Sequence, residues 1–186
     1  MRFLQRLYRY LGDRWDRILS VLRILHLRLR YPTLKLDFNC YVGPGVEIIS
    51  CDRSVCEISN CHLSRGVHIK VDERAVLKMA NSSVGPYSVI VAHESITIES
   101  DCSIGEMVVI RDQNHRYGNG IRIQDSGYET APVRLRRNVW LGSKSTVLKG
   151  VELGENTVVG AHSLVNSSFG DNAIIAGIPA RLISKS

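Results

Sequence analysis

Apolar residues recur along this chain with two different periods, and the change between them falls near residue 31. Through residues 2–30, Leu4, Leu7, Leu11, Trp15, Ile18, Leu22, Leu25 and Leu29 follow one another at steps of three and four, the spacing of one face of an α-helix. Tyr8, Leu19 and His26 widen that stripe, and Arg2, Arg6, Arg9, Arg17, Arg23 and Arg30 fill much of the remainder. Tyr31-Pro32 predicts the end of the helix, because proline disfavours helical geometry in the residue before it. From about residue 40 the period becomes six. Leu141, Val147, Leu153, Val159 and Val165 are evenly spaced; Gly142, Gly154 and Gly160 follow three of them, and Ser145, Thr157 and Ser163 stand four positions after the same three. A second run gives Val84, Ile90 and Ile96 and then, after a two-residue shift, Ile98, Ile104 and Ile110.

Neither an α-helix nor a plain strand keeps a period of six. A triangular coil does: each hexapeptide supplies one short strand and one turn, with the aliphatic residue pointing inward and small residues at the corners. Three hexapeptides close a coil, and successive coils pair as parallel strands about 4.8 Å apart. The chain is long enough for roughly six or seven coils. Residues 48–83 show a ragged version, with Ile48, Ile58, Val67, Ile69, Val71 and Val76. The expected organisation is therefore mainly β: a basic amphipathic helix over residues 1–31, then a parallel β-helix domain over 32–186. Residues 112–137 interrupt it. They are polar, contain glycine and lack the period, as a functional loop or tolerated insertion would.

Charge sharpens this division. Residues 1–30 carry eight arginines against Asp13 and Asp16; of the 24 basic and 18 acidic residues in the chain, 16 of each remain from residue 31 onward. Attraction to a membrane or polyanion would thus belong to the helix, not to the neutral body. The apolar stripe is expected to pack on the body or on a neighbouring subunit, or to lie on an anionic membrane surface, and different faces could do both. The arginines break up any uncharged span of about 20 residues, so the expected location is cytoplasmic, with peripheral contact at the inner face of the membrane. The five cysteines, at 40, 51, 56, 61 and 102, are an odd number; their spacing lacks the paired pattern of a zinc site and reads as small-residue packing. No metal is expected, and no nucleotide-binding glycine loop is present.

Four motifs give a more specific reading: Asn138-Val-Trp-Leu-Gly142, Val147-Leu-Lys-Gly-Val-Glu-Leu-Gly154, Val159-Gly-Ala-His-Ser-Leu-Val165 and Ala176-Gly-Ile-Pro-Ala-Arg181. With the Asp112-Gln-Asn-His115 stretch before them, they resemble the hexapeptide-repeat acetyltransferases of the left-handed β-helix fold, in the subgroup of sugar and polysaccharide O-acetyltransferases. The resemblance covers residues 84–183 and omits the helix. It implies acetyl-CoA as donor, direct transfer without a covalent cysteine intermediate, no metal, a homotrimer, a sugar or polysaccharide acceptor and no nucleic acid. It makes His115 the general base, a task that suits imidazole, whose ordinary pKa lies near neutrality. His26, His62, His68, His93 and His162 are read as structural or surface residues.

By the same resemblance Glu129, three residues before Pro132-Val133, would orient His115, with Asp112 as a second candidate. The N–H of Ser143 would face the developing oxyanion. Trp140, Gly142, Ser143, Gly160, Ala161, Pro179 and Arg181 would border the cofactor, with Gly160 and Ala161 leaving room for the pantetheine arm and Lys144, Lys149 and Lys185 as auxiliary cations. Asp112, Asn114 and Trp140 would meet the acceptor. His115 and Trp140 could reach one site from different chains. The sequence departs from the family at Asn114, where relatives often carry aspartate, and at His162, a position usually small. Two alternatives stay open: an N-acetyltransferase for an aminated nucleotide sugar, and a β-helix interaction module without catalysis.

Overall fold

The computed structural model describes residues 2–118, 120 and 122–185, with the side chains of the N-terminal helix described from Arg14 onward. The helix runs Arg2–Arg30, ending where Tyr31-Pro32 predicts. Beyond it the chain winds into a triangular prism of parallel strands. The first face stacks Leu34–Leu36, Val55–Ser59, Val76–Ala80, Ser95–Ile98, Val133–Leu135 and Glu152–Leu153. The second stacks Tyr41–Val42, His62–Leu63, Ser83–Val84, Ser103–Ile104, Trp140–Leu141, Val158–Val159 and Ala173–Gly177. The third stacks Glu47–Ser50, His68–Val71, Val89–Ala92, Val109–Arg111, Thr146–Val147 and Leu164–Val165. These make six full coils. A partial seventh adds Phe169, bridged to Leu153, and the hairpin Ala173–Gly177 with Ala180–Lys185.

The uneven period has a geometric cause. Leu36 lies beside Ile58, Ile58 beside Met79 and Met79 beside Ile98, so these coils take 22, 21 and 19 residues; Leu135 and Leu153, also side by side, are 18 apart. The longer coils put two inward residues on the first face (Cys56 and Ile58, Leu77 and Met79, Ile96 and Ile98), all buried. That pair is the two-residue shift in the pattern. The interruption is also shorter than residues 112–137: Val133–Leu135 has already rejoined the first face, pairing with Ile96–Ile98. Leu135 stands six before Leu141 and belongs to the regular run.

Corners impose their own requirement. Gly43, Gly85, Gly105, Gly142 and Gly160 leave the second face at equivalent levels, each N–H donating to the next coil's strand. A Cβ on Gly142 would lie 2.6 Å from the backbone nitrogen of Ala161, and one on Gly160 would lie 2.8 Å from the Ala176 Cβ. Close approach of neighbouring coils demands these glycines. At Gly160, expected to leave room for a pantetheine arm, the absent side chain also makes room for the next coil. Cys40, Cys56, Cys61 and Cys102 are buried free thiols, and burial pushes Cys56 up to about 12 and Cys61 to about 11. They pack, as their spacing implies.

The helix closes the open end of the prism. Ser20, Ile24 and Leu27 are buried against the first coil. Ser20 Oγ accepts the Val42 N–H at 2.8 Å, and Arg23 donates to the Val42 carbonyl at 2.9 Å. An exposed strand edge is thereby partly paired. The predicted apolar stripe is not the face that packs. Trp15, Ile18, Leu22, Leu25 and Leu29 are exposed, while Leu4, Leu7, Tyr8 and Leu11 lie outside the described side chains.

Candidate active site

Between Arg111 on the third face and Val133 on the first, the chain leaves the prism as a two-stranded antiparallel ribbon, Gln113–His115 against Tyr128–Thr130. Asp112 anchors it. Its side chain is fully buried, and its two carboxylate oxygens accept the backbone N–H groups of His93, Glu94 and Ser95 at 2.7–2.8 Å. Its carbonyl accepts the Ala131 N–H at 2.9 Å, closing the base of the ribbon. Asp112, expected to meet the acceptor or to orient His115, fastens the ribbon to the coil below.

Register decides the rest. His115 pairs with Tyr128, and Asn114 with Glu129. Side chains of a ribbon alternate between its faces, so His115 and Tyr128 share one face while Asn114 and Glu129 share the other. Exposed Glu129 turns to Lys149, 3.2 Å away. Glu129, expected to orient His115, therefore lies on the other face of the ribbon, paired with Lys149, an expected auxiliary cation. The Tyr128 ring lies against His115, centroids 4.5 Å apart, and Tyr128 in turn meets His93 edge-on at 4.4 Å. His93 Nε2 is 2.9 Å from Asp72, which also pairs with Lys70 at 2.7 Å.

In the sequence His93 reads as structural, and no motif marks Tyr128 or Asp72. The signal for His93 is its place one coil below His115, visible only once coil lengths are known. Below the ribbon an open, polar groove runs along the same corner past Asp52, Arg53, Asp72 and Glu73 to His93. His93 Nδ1, and Gln113 Oε1 at the base of the ribbon, are buried without a partner among the described residues.

The remaining candidates gather along a different corner. Trp140 is exposed on the second face, flanked by Ser103 and Val158. Ser143 follows at the corner, and among the described residues its N–H takes part in none of that corner's backbone hydrogen bonds. The Ser143 hydroxyl beside Glu106 holds that exposed carboxyl below its usual range. One coil on, Ala161 is exposed beside His162, whose left-handed backbone turns the corner. Further on, Ile174 pairs beside Val158 and carries the hairpin bearing Pro179 and exposed Arg181. Lys144 is also exposed at this corner. Small residues, an available N–H, an exposed indole and two cations in sequence suit a long, anionic, thioester-bearing ligand.

His115 and this line occupy the same height along the prism, since the ribbon returns into the coil that carries Trp140. They face different ways: the ribbon leaves the edge between the third and first faces, and Trp140 projects from the second. Among the described residues no group of three or more His, Cys, Asp or Glu side chains could hold a metal ion.

Comparison with known proteins places this architecture. The family model described as bacterial transferase hexapeptide (six repeats) matches residues 132–167. A putative lipopolysaccharide biosynthesis O-acetyl transferase, WbbJ, of Escherichia coli K12 is 35% identical over 135 residues, 67% of this chain and 69% of that one. A probable acetyltransferase of Mycobacterium tuberculosis, Rv3034c, is 27% identical over 168 residues, 87% of this chain; the match spans 55% of its own length. Among solved structures, a variant of AntD, an N-acyltransferase of Bacillus cereus in complex with dTDP-4-amino-4,6-dideoxyglucose and coenzyme A, superposes with a TM-score of 0.59 at 23% identity, over 79% of this chain and 80% of that one. The prism is the left-handed β-helix of these enzymes, and the chain belongs to the hexapeptide-repeat acetyltransferase family.

Proposed function

We propose that this acetyltransferase moves the acetyl group of acetyl-CoA to a hydroxyl of a saccharide, at a site shared by two copies of the chain. The observation that carries this reading is the matched height of His115 and the Trp140–Ser143 corner on opposite sides of one prism. A closed three-fold assembly with its axis parallel to the prism brings the ribbon of one copy to the corner of the next. His115 there accepts the acceptor's proton as that oxygen attacks the thioester carbonyl. The Ser143 N–H donates to the carbonyl oxygen as it gains charge, and the departing thiolate takes the proton back from His115. Arg181 and Lys144 face the phosphates, and Trp140 and Ala161 border the arm. The groove from Asp52 to His93 offers carboxylates and an imidazole to a polyhydroxylated acceptor, and the O-acetyl transferase relative supports an alcohol over an amine.

Complementation tests the shared site. Ala161→Trp fills the exposed corner without entering the core, and His115→Ala removes the base; each variant alone is expected to be inactive. Co-expressed, they should recover about a quarter of wild-type activity, because about a quarter of the sites in randomly mixed closed trimers pair an intact ribbon with an intact corner. If both groups acted within one chain, no mixture would recover. Tyr128 is assigned as a positioning residue. Tyr128→Ala should lower kcat about tenfold through a misplaced imidazole with KM for acetyl-CoA unchanged, and Tyr128→Phe, which keeps the ring, should restore it.

A further inference from the structure

The N-terminal helix has two apolar lines, and the prism uses one. Ser20, Ile24 and Leu27 are buried on the first coil, whereas Trp15, Ile18, Leu19, Leu22, Leu25 and Leu29 remain exposed, Leu29 by 83% and Trp15 by 63%. At about 100° per residue these six project from the side opposite Ile24 and Leu27. A contiguous apolar stripe of this kind is costly in water and marks a contact surface. Capping the coil does not explain it, since Ser20 and Arg23 already make the hydrogen bonds to Val42.

Charge selects the occupant. Arg14, Arg17 and Arg28 border the stripe on one side and Arg30 on the other, and all four are exposed. The Arg28 guanidinium lies over the Phe38 ring at 4.9 Å. The helix carries eight arginines and two aspartates on a chain whose remainder is neutral. A second copy of the helix would bring the same arginines against these, whereas anionic phospholipid headgroups complement them while acyl chains take the stripe. Long arginine side chains reach the headgroups from the margins of a helix lying in the interface. Among the described residues no helix is long and apolar enough to cross a membrane.

We infer that this stripe docks the enzyme on an anionic phospholipid bilayer, with the rear of the same helix holding the prism. Flotation of the full chain is the test, using vesicles of phosphatidylglycerol and phosphatidylcholine in equal parts against pure phosphatidylcholine. The wild-type chain is expected to float with the anionic vesicles alone, and high salt should weaken this. Combined Ile18→Glu, Leu22→Glu and Leu29→Glu, all at exposed positions, should cut binding at least tenfold while leaving the mass by light scattering and the acetyltransferase activity unchanged. A wild-type chain that stays unbound, or a variant that binds equally well, overturns the inference. So does a variant that loses the assembled mass, which would give the stripe to a second copy. Loss of acetyl transfer in the wild type would count against the proposed activity and leave vesicle binding as a separate result.

Discussion

Replacing His115 with alanine is expected to lower kcat for acetyl transfer by about 10²–10⁴-fold, with acetyl-CoA affinity unchanged. The affinity should hold because the line proposed for the cofactor, from Trp140 through Ala161 to Arg181, runs along a different corner from the ribbon. His115 itself is exposed and makes no contact in the core, so its removal leaves the prism intact. Steady-state kinetics with isothermal titration of CoA separates the two effects. A fall in affinity matching the fall in rate would place His115 in binding rather than in proton transfer.

Asp112→Ala should have the largest structural effect among the site residues. Three backbone N–H groups, of His93, Glu94 and Ser95, lose the acceptor that the fully buried Asp112 carboxylate supplies. Unsatisfied buried donors cost roughly 1–3 kcal/mol each, so a loss of about 3 kcal/mol or more is expected. For a chain of this size that lowers Tm by roughly 10 °C. Activity should fall with it, since the ribbon loses its fastening. Asp112→Asn offers one acceptor oxygen in place of two and should fall between. If Asp112→Ala melts like the wild type and only KM for the acceptor rises, Asp112 touches substrate and the anchoring role is wrong.

The fold was most legible where coils are shortest. From Leu141 to Val165 each strand contributes one inward residue, and the period of six passes undisturbed. Toward the N-terminus, coils of 22, 21 and 19 residues place two inward residues on the first face, which blurs the period without changing the architecture. The ribbon's position was legible through the loss of that period. Its internal register was not, because distance from Pro132 says nothing about which residue faces which across two strands. Pairing His115 with Tyr128 rather than Glu129 moves the carboxylate to the opposite face. A buried Asp112 bonded to three N–H groups looks, in sequence, the same as one that meets a sugar.

The packing face of the helix was hidden for a different reason. Hydrophobicity picks the broadest apolar line, yet the line that packs mixes Ile24 and Leu27 with Ser20 and Arg23, whose polar atoms finish the edge of the first strand at Val42. Packing against a strand edge rewards hydrogen-bonding groups that a hydrophobic pattern passes over. The broad stripe is left over. Its exposure is a structural result that the sequence pattern alone could not supply.

Acetyl transfer to a saccharide can be followed directly with labelled acetyl-CoA. Purified full chain would be incubated with acetyl-labelled acetyl-CoA and a panel of neutral and aminated saccharides, and the label in saccharide would then be exposed to mild alkali. Saccharide-dependent release of CoA is expected, with label that alkali removes, as an ester requires, and with both lost in His115→Ala. Label that resists alkali would place the acetyl group on nitrogen, and transfer undiminished in His115→Ala would contradict the mechanism.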